Sequence, residues 1–123
     1  MKKLIISCDD LGISKEINLG IKDCFDNRVA TSSSIIVNGE FYEHALNEVV
    51  AKLPIKFYGL HLNLTEGKAL SKNCINKICD ENNIFNISAK KYFFLNFIKR
   101  DKSLEKVIYD ELKLQIEKVL KDG

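Results

Sequence analysis

Short apolar runs alternate with amphipathic stretches along the first two thirds of the chain. The segments Leu4–Cys8, Val29–Val37 and Phe57–Leu64 have the length and composition of buried strands. Between them, apolar residues recur every three or four positions, which predicts one helix after Ser14 and a second from Phe41 to Leu53. The pattern therefore predicts a β-α-β-α-β order with a parallel sheet, because crossovers between successive parallel strands are right-handed.

Capping and breaking residues mark the ends of these elements. Ser14 is a good N-cap, and Glu16 lies favourably in the first turn of the first helix. Asn38-Gly39 predicts a turn after the second strand, and Pro54 ends the second helix. The predicted apolar faces comprise Ile17, Ile21, Cys24 and Phe25 on the first helix, and Tyr42, Leu46, Val49, Val50 and Leu53 on the second.

The pattern weakens from Ser71 to Ser103 and becomes regular again near the end of the chain. Within this stretch, Lys90–Lys99 predicts a short helix that is apolar on most sides. The last helix has a predicted apolar stripe of Leu104, Ile108, Leu112 and Val119, with the charged pairs Lys113–Glu117 and Glu117–Lys121 and with Gly123 as its C-cap. We interpret residues 1–123 as a single domain with a βαβαβ segment at 1–70, an insertion loop at 71–103 and a long helix at 104–122.

Composition narrows the class of protein. The chain has 123 residues, of which 46% are hydrophobic and 29% charged, and its formal net charge is +2. These values exclude a mainly disordered chain and give no reason to expect nucleic acid as a partner. No apolar run approaches the roughly 20 residues that span a bilayer, so no membrane partner is expected either. The chain is also too short for a complete eight-stranded α/β barrel, which needs about 250 residues.

The first residues and the cysteines predict the compartment. The basic start and the apolar run resemble an export signal, but Asp9 ends the run too early, so we expect a strand and a cytoplasmic protein. The four cysteines form no CxxC pair, and we expect free thiols. Cys74 and Cys79 lack two further ligands nearby, which disfavours a metal site there.

Two adjacent carboxylates, Asp9 and Asp10, follow the first predicted strand. Parallel α/β folds place their active sites at the carboxyl ends of strands, so this position favours a functional role. Neighbouring carboxylates repel each other unless a cation or a proton lies between them. The alternative is structural, with one carboxylate capping the following turn and the other solvated.

The third predicted strand carries a row of polar residues. In residues 59–65, GLHLNLT, leucines alternate with His61, Asn63 and Thr65, so the polar side chains share one face. A buried parallel strand is normally apolar throughout, which makes this row unusual. It predicts either a polar cavity, with His61 binding a metal and Asn63 or Thr65 lining the site, or a core histidine with satisfied hydrogen bonds.

The second strand has a similar row, in which Ser32, Ser34 and Asn38 share one face. Polar residues near the carboxyl ends of three neighbouring strands favour a site, and Asn38 is a further candidate for binding substrate. His44, by contrast, lies among polar and charged residues of the second helix, and we interpret it as a surface residue.

Four segments together resemble one family. Residues 8–12, CDDLG, resemble the N-A-D-D-F-G motif of the YdjC-like carbohydrate deacetylases, although Cys8 stands where alanine is usual and Leu11 replaces phenylalanine. Residues 18–21 and 30–39 are similar to the family's next block. Residues 59–67, GLHLNLTEG, match a family segment almost letter for letter. The resemblance covers essentially the whole chain but not the whole family domain.

The resemblance implies a fold and an activity. It implies the parallel start of a distorted (β/α) barrel of the polysaccharide-deacetylase type, truncated here. The implied reaction is removal of the N-acetyl group from N-acetylated oligosaccharides such as chitooligosaccharides. The alternatives are a truncated fragment without activity and a non-catalytic sugar-binding module of the same fold. An exposed barrel edge would also favour a homodimer or other self-association.

The resemblance further implies the roles of three residues. Asp9 is the expected catalytic base, and Asp10 and His61 are the expected ligands of one divalent metal ion, with Mg expected before Zn, Co or Mn. A third ligand, a second histidine, is expected beyond Gly123 and is absent here. The segment 71–103 would lie over the barrel mouth. Its aromatic residues either stack on sugar rings or pack against the barrel, and we favour packing for Phe93, Phe94 and Phe97.

Overall fold

The computed structural model describes residues 2–52, 58–95 and 101–122, apart from the side chain at position 89. Two compact units divide the chain, Met1–His61 and Leu62–Gly123. Each unit has secondary structure and buried residues of its own. The interpretation of residues 1–123 as one domain stays a prediction.

The first unit contains the predicted parallel sheet with its connecting helices. Its three strands lie side by side in chain order and pair in parallel, which confirms the predicted arrangement. The helices begin close to their predicted starts, and the Ser14 hydroxyl accepts a hydrogen bond from the Ile17 N–H as an N-cap should. The elements are β1 (Ser7–Leu11), α1 (Lys15–Asp26), β2 (Ser32–Ile35), α2 (Tyr42–Ala45), a π-helical turn (Leu46–Val50) and β3 (Tyr58–Leu60).

The strands are shorter than predicted, and the first one is displaced. Leu4 and Ile5 are exposed because pairing with β2 begins only at Ser7, opposite Ser32. Val29, predicted to begin the second strand, is exposed as well. Apolar content therefore placed these two strand starts too early.

The third strand shows the largest difference from the prediction. It ends at Leu60, and the alternation of faces expected as far as Leu64 is wrong beyond that residue. Leu62 is 47% exposed, whereas Asn63 is buried. The cause is local, because the Asn63 side chain accepts hydrogen bonds from the backbone N–H groups of Thr65 and Glu66 and turns the chain.

The helices of the first unit keep most of their predicted apolar faces. Ile21 and Phe25 are buried on α1, and Tyr42 and Val49 are buried on α2 and its π-helical turn. Ile17 is exposed, and Cys24, Leu46 and Val50 are only partly buried. The predictions for Leu53, Pro54 and Phe57 fall outside the described residues.

The second unit has a small core of its own. Residues of the segment 71–103 contribute to it together with the last helix, α4 (Lys102–Asp122). A 3₁₀ turn (Lys72–Cys74) and a short helix, α3 (Ala89–Phe93), also lie in this segment. The core comprises Ala69, Cys74, Ile78, Cys79, Phe85, Ile87, Leu104 and Val107.

The buried stripe of α4 differs from the prediction. It comprises Leu104, Val107, Glu111 and Gln115, whereas Ile108, Leu112 and Val119 are only partly buried. Two polar side chains therefore replace predicted apolar ones, and their partners are described below. The predicted pair Lys113–Glu117 is present, with 3.7 Å between nitrogen and oxygen. Gly123, the predicted C-cap, lies outside the described residues.

Two aromatic residues of the segment are more exposed than expected. Phe93 is 59% and Phe94 45% exposed, so neither is a core residue of the second unit, and Phe97 is outside the described residues.

Among the helices that the structure describes, none is long and apolar enough to cross a membrane.

Candidate metal centre and its surroundings

Asp9 and Asp10 lie at an irregularity near the carboxyl end of β1. The pairing register with β2 shifts here, so the two aspartates face the single residue Ser34. Asp10 has a φ of 68°, in the left-handed region that aspartate tolerates better than most residues. Bulges of this kind often lie next to active sites, because they change the direction of a side chain. The bulge gives the two consecutive carboxylates different partners.

Asp10 is paired with His61. The Asp10 Oδ1 atom lies 3.3 Å from His61 Nδ1, and both side chains are partly exposed, at 49% and 37%. The Asp10 backbone N–H also points to the same ring nitrogen, over 3.4 Å. His61 itself is held at the end of β3 by its N–H, which donates to the Ile35 carbonyl at 2.9 Å. The structure therefore brings the two predicted metal ligands together.

The separation of these two atoms suits a shared divalent cation. Nitrogen and carboxylate oxygen bind Zn²⁺ at about 2.0–2.2 Å, which puts two ligands of one ion roughly 3.0–3.5 Å apart. The distance of 3.3 Å lies in that range. Carboxylate with imidazole is a donor set for several divalent metals, and Mg²⁺ commonly keeps water in its other positions. Among the residues that the structure describes, no group of three or more His, Cys, Asp or Glu could hold a metal ion.

Asp9 has a separate environment. Its Oδ1 atom accepts a hydrogen bond of 2.7 Å from the Ser34 hydroxyl, and the residue is exposed. The neighbouring Ser33 hydroxyl instead donates to the Cys8 carbonyl at 2.7 Å, which fixes the strand just before the bulge. An exposed carboxylate whose orientation is fixed by one hydroxyl can accept a proton from a water molecule.

Two loops approach each other very closely beside the bulge. Gly12 has a φ of 103°, and its carbonyl accepts a hydrogen bond from the Phe41 N–H at 2.9 Å. A Cβ atom at Gly39 would lie 2.7 Å from the Gly12 carbonyl carbon and closer still to its oxygen. Asn38, the candidate substrate residue of the first unit, is buried in the turn just before Gly39.

His44 is not the surface residue that the sequence predicts. It is half-buried, and its Nδ1 atom lies 3.1 Å from Nδ2 of Asn18. Asn18 is fully buried on α1 and was not recognised from the sequence as a site residue. The available signal was a polar amide between Ile17 and Ile21 on an otherwise apolar helix face, where asparagine is unfavourable.

Asn63 and Thr65, the other two candidate substrate residues, belong to the second unit. The Asn63 Oδ1 atom accepts from the Thr65 and Glu66 N–H groups at 3.0 and 3.1 Å, and its Nδ2 donates to the Glu66 carbonyl at 2.7 Å. Its side chain therefore organises its own turn, whereas Thr65 is exposed. A role for either residue in binding substrate stays a prediction.

Two polar residues of α4 hold this turn and the segment that follows it. Gln115 accepts from the Asn63 N–H at 3.0 Å and donates to the Asn63 carbonyl at 2.6 Å. The buried Glu111 carboxylate accepts from the N–H groups of Leu70 and Ser71, at 3.1 and 2.7 Å, and from Gln115 at 2.8 Å. The sequence signal for both was their helical spacing from Leu104 and Val107, which places two polar residues on the same face of α4 as these apolar ones.

The cysteines are free thiols, as predicted. Burial raises the pKa of Cys74 to about 12, with a smaller contribution from Glu111, and burial raises the pKa of Cys79 to about 11. Both side chains therefore stay protonated near neutral pH. In the first unit, burial and the neighbouring Cys24 also raise the pKa of Cys8.

The sequence is similar to those of several proteins named carbohydrate or chitooligosaccharide deacetylase. A carbohydrate deacetylase of Clostridium beijerinckii is 38% identical over 126 aligned residues, which cover 98% of this chain and 45% of that protein. A carbohydrate deacetylase of Thermoanaerobacter pseudethanolicus is 32% identical, over 98% of this chain and 44% of the relative. A chitooligosaccharide deacetylase of Salmonella paratyphi B is 42% identical over 69 residues, 56% of this chain and 27% of the relative.

The fold is similar to that of a solved structure. It comes from Enterococcus faecalis V583, is described as a candidate cellobiose-phosphate cleavage protein, and has a TM-score of 0.77 at 26% identity. The match covers 99% of this chain and 45% of that one. The chain thus spans less than half the length of the relatives that it matches over nearly all its residues. The model of one family, described as YdjC-like protein, matches residues 3–123, and this chain belongs to that family.

Proposed function

We propose that this chain provides two metal ligands and the general base of a hydrolase that removes acetyl groups from N-acetylated sugars. One observation carries the proposal. Asp10 Oδ1 and His61 Nδ1 lie 3.3 Å apart, at the distance of two ligands on one ion, while Ser34 holds the adjacent Asp9 in a separate contact. The sugar substrate is supported by the names of the relatives, carbohydrate deacetylase and chitooligosaccharide deacetylase.

The residues divide the chemistry between them. Asp10 and His61 would hold a divalent cation, with Mg²⁺ expected before Zn²⁺, Co²⁺ or Mn²⁺. Such a cation, when bound, supplies Lewis acidity that lowers the pKa of water and polarises a carbonyl. Asp9 accepts a proton from the water that attacks the acetamide carbon. The C–N bond then breaks, the sugar nitrogen takes up a proton, and acetate and a free amine leave.

Ser34 defines the position of the base. Its hydroxyl donates a hydrogen bond to Oδ1 of Asp9. We therefore assign proton transfer to the other oxygen, Oδ2. This contact also gives Asp9 a fixed direction on an exposed surface, and general-base catalysis needs a base within hydrogen-bond reach of the proton it removes. Asn38, Asn63 and Thr65 remain the proposed contacts to the sugar.

Three finer parts of the proposal concern fold, compartment and assembly. The parallel sheet of the first unit is proposed as the start of a distorted (β/α) barrel, as the resemblance to the YdjC-like carbohydrate deacetylases implies. A cytoplasmic location is supported by the four free thiols. Within the described residues β1 and β3 are edge strands, which supports self-association through a sheet edge. Light scattering of the purified chain measures this association directly.

The adjacent aspartates allow a matched test of the proposed roles. Asp9→Asn and Asp10→Asn are equally conservative and one residue apart. Calorimetric titration with Mn²⁺ should show a dissociation constant raised by about 100-fold for Asp10→Asn, since it loses a metal ligand, and little changed for Asp9→Asn. Acetate release from N-acetylated chitooligosaccharides should fall about 100-fold or more in Asp9→Asn, as expected for loss of a general base.

Two results would count against the proposal. Acetate release that survives Asp9→Asn would remove Asp9 from the role of base. Binding of both Mn²⁺ and chitooligosaccharide with no acetate release from the unsubstituted chain would replace the deacetylase with the second candidate, a non-catalytic sugar-binding role.

A further inference from the structure

A closed ring of hydrogen bonds lies beside the aspartate bulge, and its centre is the side chain of Asn18. Asn18 Oδ1 accepts from the Gly12 N–H at 2.7 Å, and Asn18 Nδ2 donates to the Phe41 carbonyl at 3.1 Å. The Phe41 N–H donates in turn to the Gly12 carbonyl at 2.9 Å. Asn18 is fully buried, so these contacts replace hydrogen bonds that water would otherwise supply.

The partners fix the orientation of the Asn18 amide. The Gly12 N–H can only donate and the Phe41 carbonyl can only accept, so the oxygen must face Gly12 and the nitrogen must face Phe41. The second proton of Nδ2 points to His44 Nδ1 at 3.1 Å, which assigns that ring nitrogen as an acceptor. A donor meets an acceptor at each of these contacts.

The ring connects two loops that carry candidate site residues. Gly12 follows the Asp10 bulge at the end of β1, and Phe41 follows the turn that contains Asn38 after β2. Backbone contact between the loops is already as close as glycine allows. The Asn18 amide adds a third element, because it ties both loops to α1. A shift of this side chain would therefore move Asp10 and the Asn38 turn relative to each other.

We propose that Asn18 is a positioning residue, which sets the backbone geometry of the Asp10 bulge and its distance from the Asn38 turn. The proposal rests on the metal pair proposed above, since positioning matters through Asp10. Removing a group that orients a metal ligand without binding the metal commonly lowers the metal affinity by about 10–100-fold. Asn18 acts here through the backbone at Gly12 and touches no reacting atom.

Two substitutions separate the two halves of the amide. Asn18→Ala removes the acceptor and the donor, so the Gly12 amide proton should exchange with solvent about tenfold faster or more. The Mn²⁺ dissociation constant should rise about tenfold. At a pH where the new carboxyl group is ionised, Asn18→Asp keeps an acceptor for Gly12 and loses the donor to Phe41. We expect it to retain the Gly12 protection and the Asp10 amide resonance of the unsubstituted chain, while the resonances of the Asn38 turn shift.

The matched control is Ile21, a buried residue of the same helix. Its apolar side chain cannot form a hydrogen bond to either loop. Ile21→Val should destabilise the chain less than Asn18→Ala does, and Ile21→Ala should destabilise it more. Both leave the hydrogen bonds of Asn18 in place. If Asn18→Ala raises the Mn²⁺ dissociation constant no more than the Ile21 variant of equal stability does, the positioning role is wrong. The same holds if Asn18→Ala leaves the Gly12 exchange rate and the Asp10 resonance unchanged.

Failure of the proposed function gives a different result. In that case the unsubstituted chain fails to bind Mn²⁺, whereas the metal-free exchange rate of Gly12 and the resonances of Asp10 still respond to Asn18→Ala. Should Asn18→Ala fail to fold, Asn18→Asp decides the question, because a positioning role requires the Asp10 resonance to be kept while the Asn38 turn moves.

Discussion

Substitution of Gly39 by alanine should strongly destabilise the first unit, although only one methyl group is added. The new Cβ would lie 2.7 Å from the carbonyl carbon of Gly12 and closer still to its oxygen. Ordinary carbon contacts lie at about 3.5–4.0 Å, so the overlap is close to an ångström or more. Both partners are backbone, and no side chain can rotate away. One of the two loops beside the aspartate bulge must therefore move.

The size of the effect follows from this geometry. Overpacking in a rigid surrounding costs about 1–3 kcal/mol, and the backbone-to-backbone overlap at Gly39 places it at the upper end, at about 3 kcal/mol. Thermal unfolding should then occur about 10 °C or more lower, at roughly 4 °C for each kcal/mol in a chain of this size. The cost is steric, since Gly39 is not among the residues with a positive φ.

Gly20 provides the matched control within the same unit. It lies inside α1, and a Cβ there meets no atom within 4 Å. Gly20→Ala should stabilise the unit by about 0.5–1 kcal/mol, because alanine loses less backbone entropy in a helix. Circular dichroism during urea and thermal unfolding measures both variants, with amide exchange in β2 as a reporter for the first unit. Equal stability of Gly39→Ala and the unsubstituted chain would refute the described approach of the two loops.

Three further predictions concern the second unit. Glu111→Leu should lower the free energy of unfolding by about 2–4 kcal/mol, since backbone N–H groups lose a buried acceptor, and urea denaturation measures this loss. Tyr92→Phe should cost about 1 kcal/mol in the same assay, because the hydroxyl donates to the Leu64 carbonyl at 2.8 Å. The pKa values of Cys74 and Cys79 are raised from 9.0 to about 12 and about 11, so the unfolded chain loses these protons first. Stability should therefore be complete below about pH 9 and fall as the pH rises towards 12, with a smaller slope in a variant that has alanine at both positions.

The order and pairing of the elements could be predicted from the sequence. The β-branched residues, serines and threonine of segment 29–37 and the helical spacing of Ile21 and Phe25 are local signals, and the structure has a strand and a helix there. The ends of the strands could not be predicted, because they depend on pairing. Leu4 is as apolar as a strand residue, but β2 provides no partner opposite it.

The candidate site could be predicted in part. Asp10 and His61 were recognised from residue types and from the family resemblance, and the structure brings them within 3.3 Å. Asn18 and Glu111 were not predicted. Each side chain bonds to backbone groups that are distant from it in the sequence but close to it within its unit. The alternation of leucines predicted a strand that is too long for a related reason. The Asn63 side chain accepts hydrogen bonds from the next backbone N–H groups, and the strand ends before it. Sequence periodicity does not register such side-chain-to-backbone contacts.

A double-mutant cycle on Mn²⁺ binding tests whether Asp10 and His61 hold the same ion. Titration calorimetry of the unsubstituted chain, Asp10→Asn, His61→Ala and the double variant gives the coupling between the two side chains. Each single variant should lose most of the affinity, and the double variant should lose little more. Losses that simply add, or an unchanged dissociation constant in either single variant, would show that the two side chains do not share an ion.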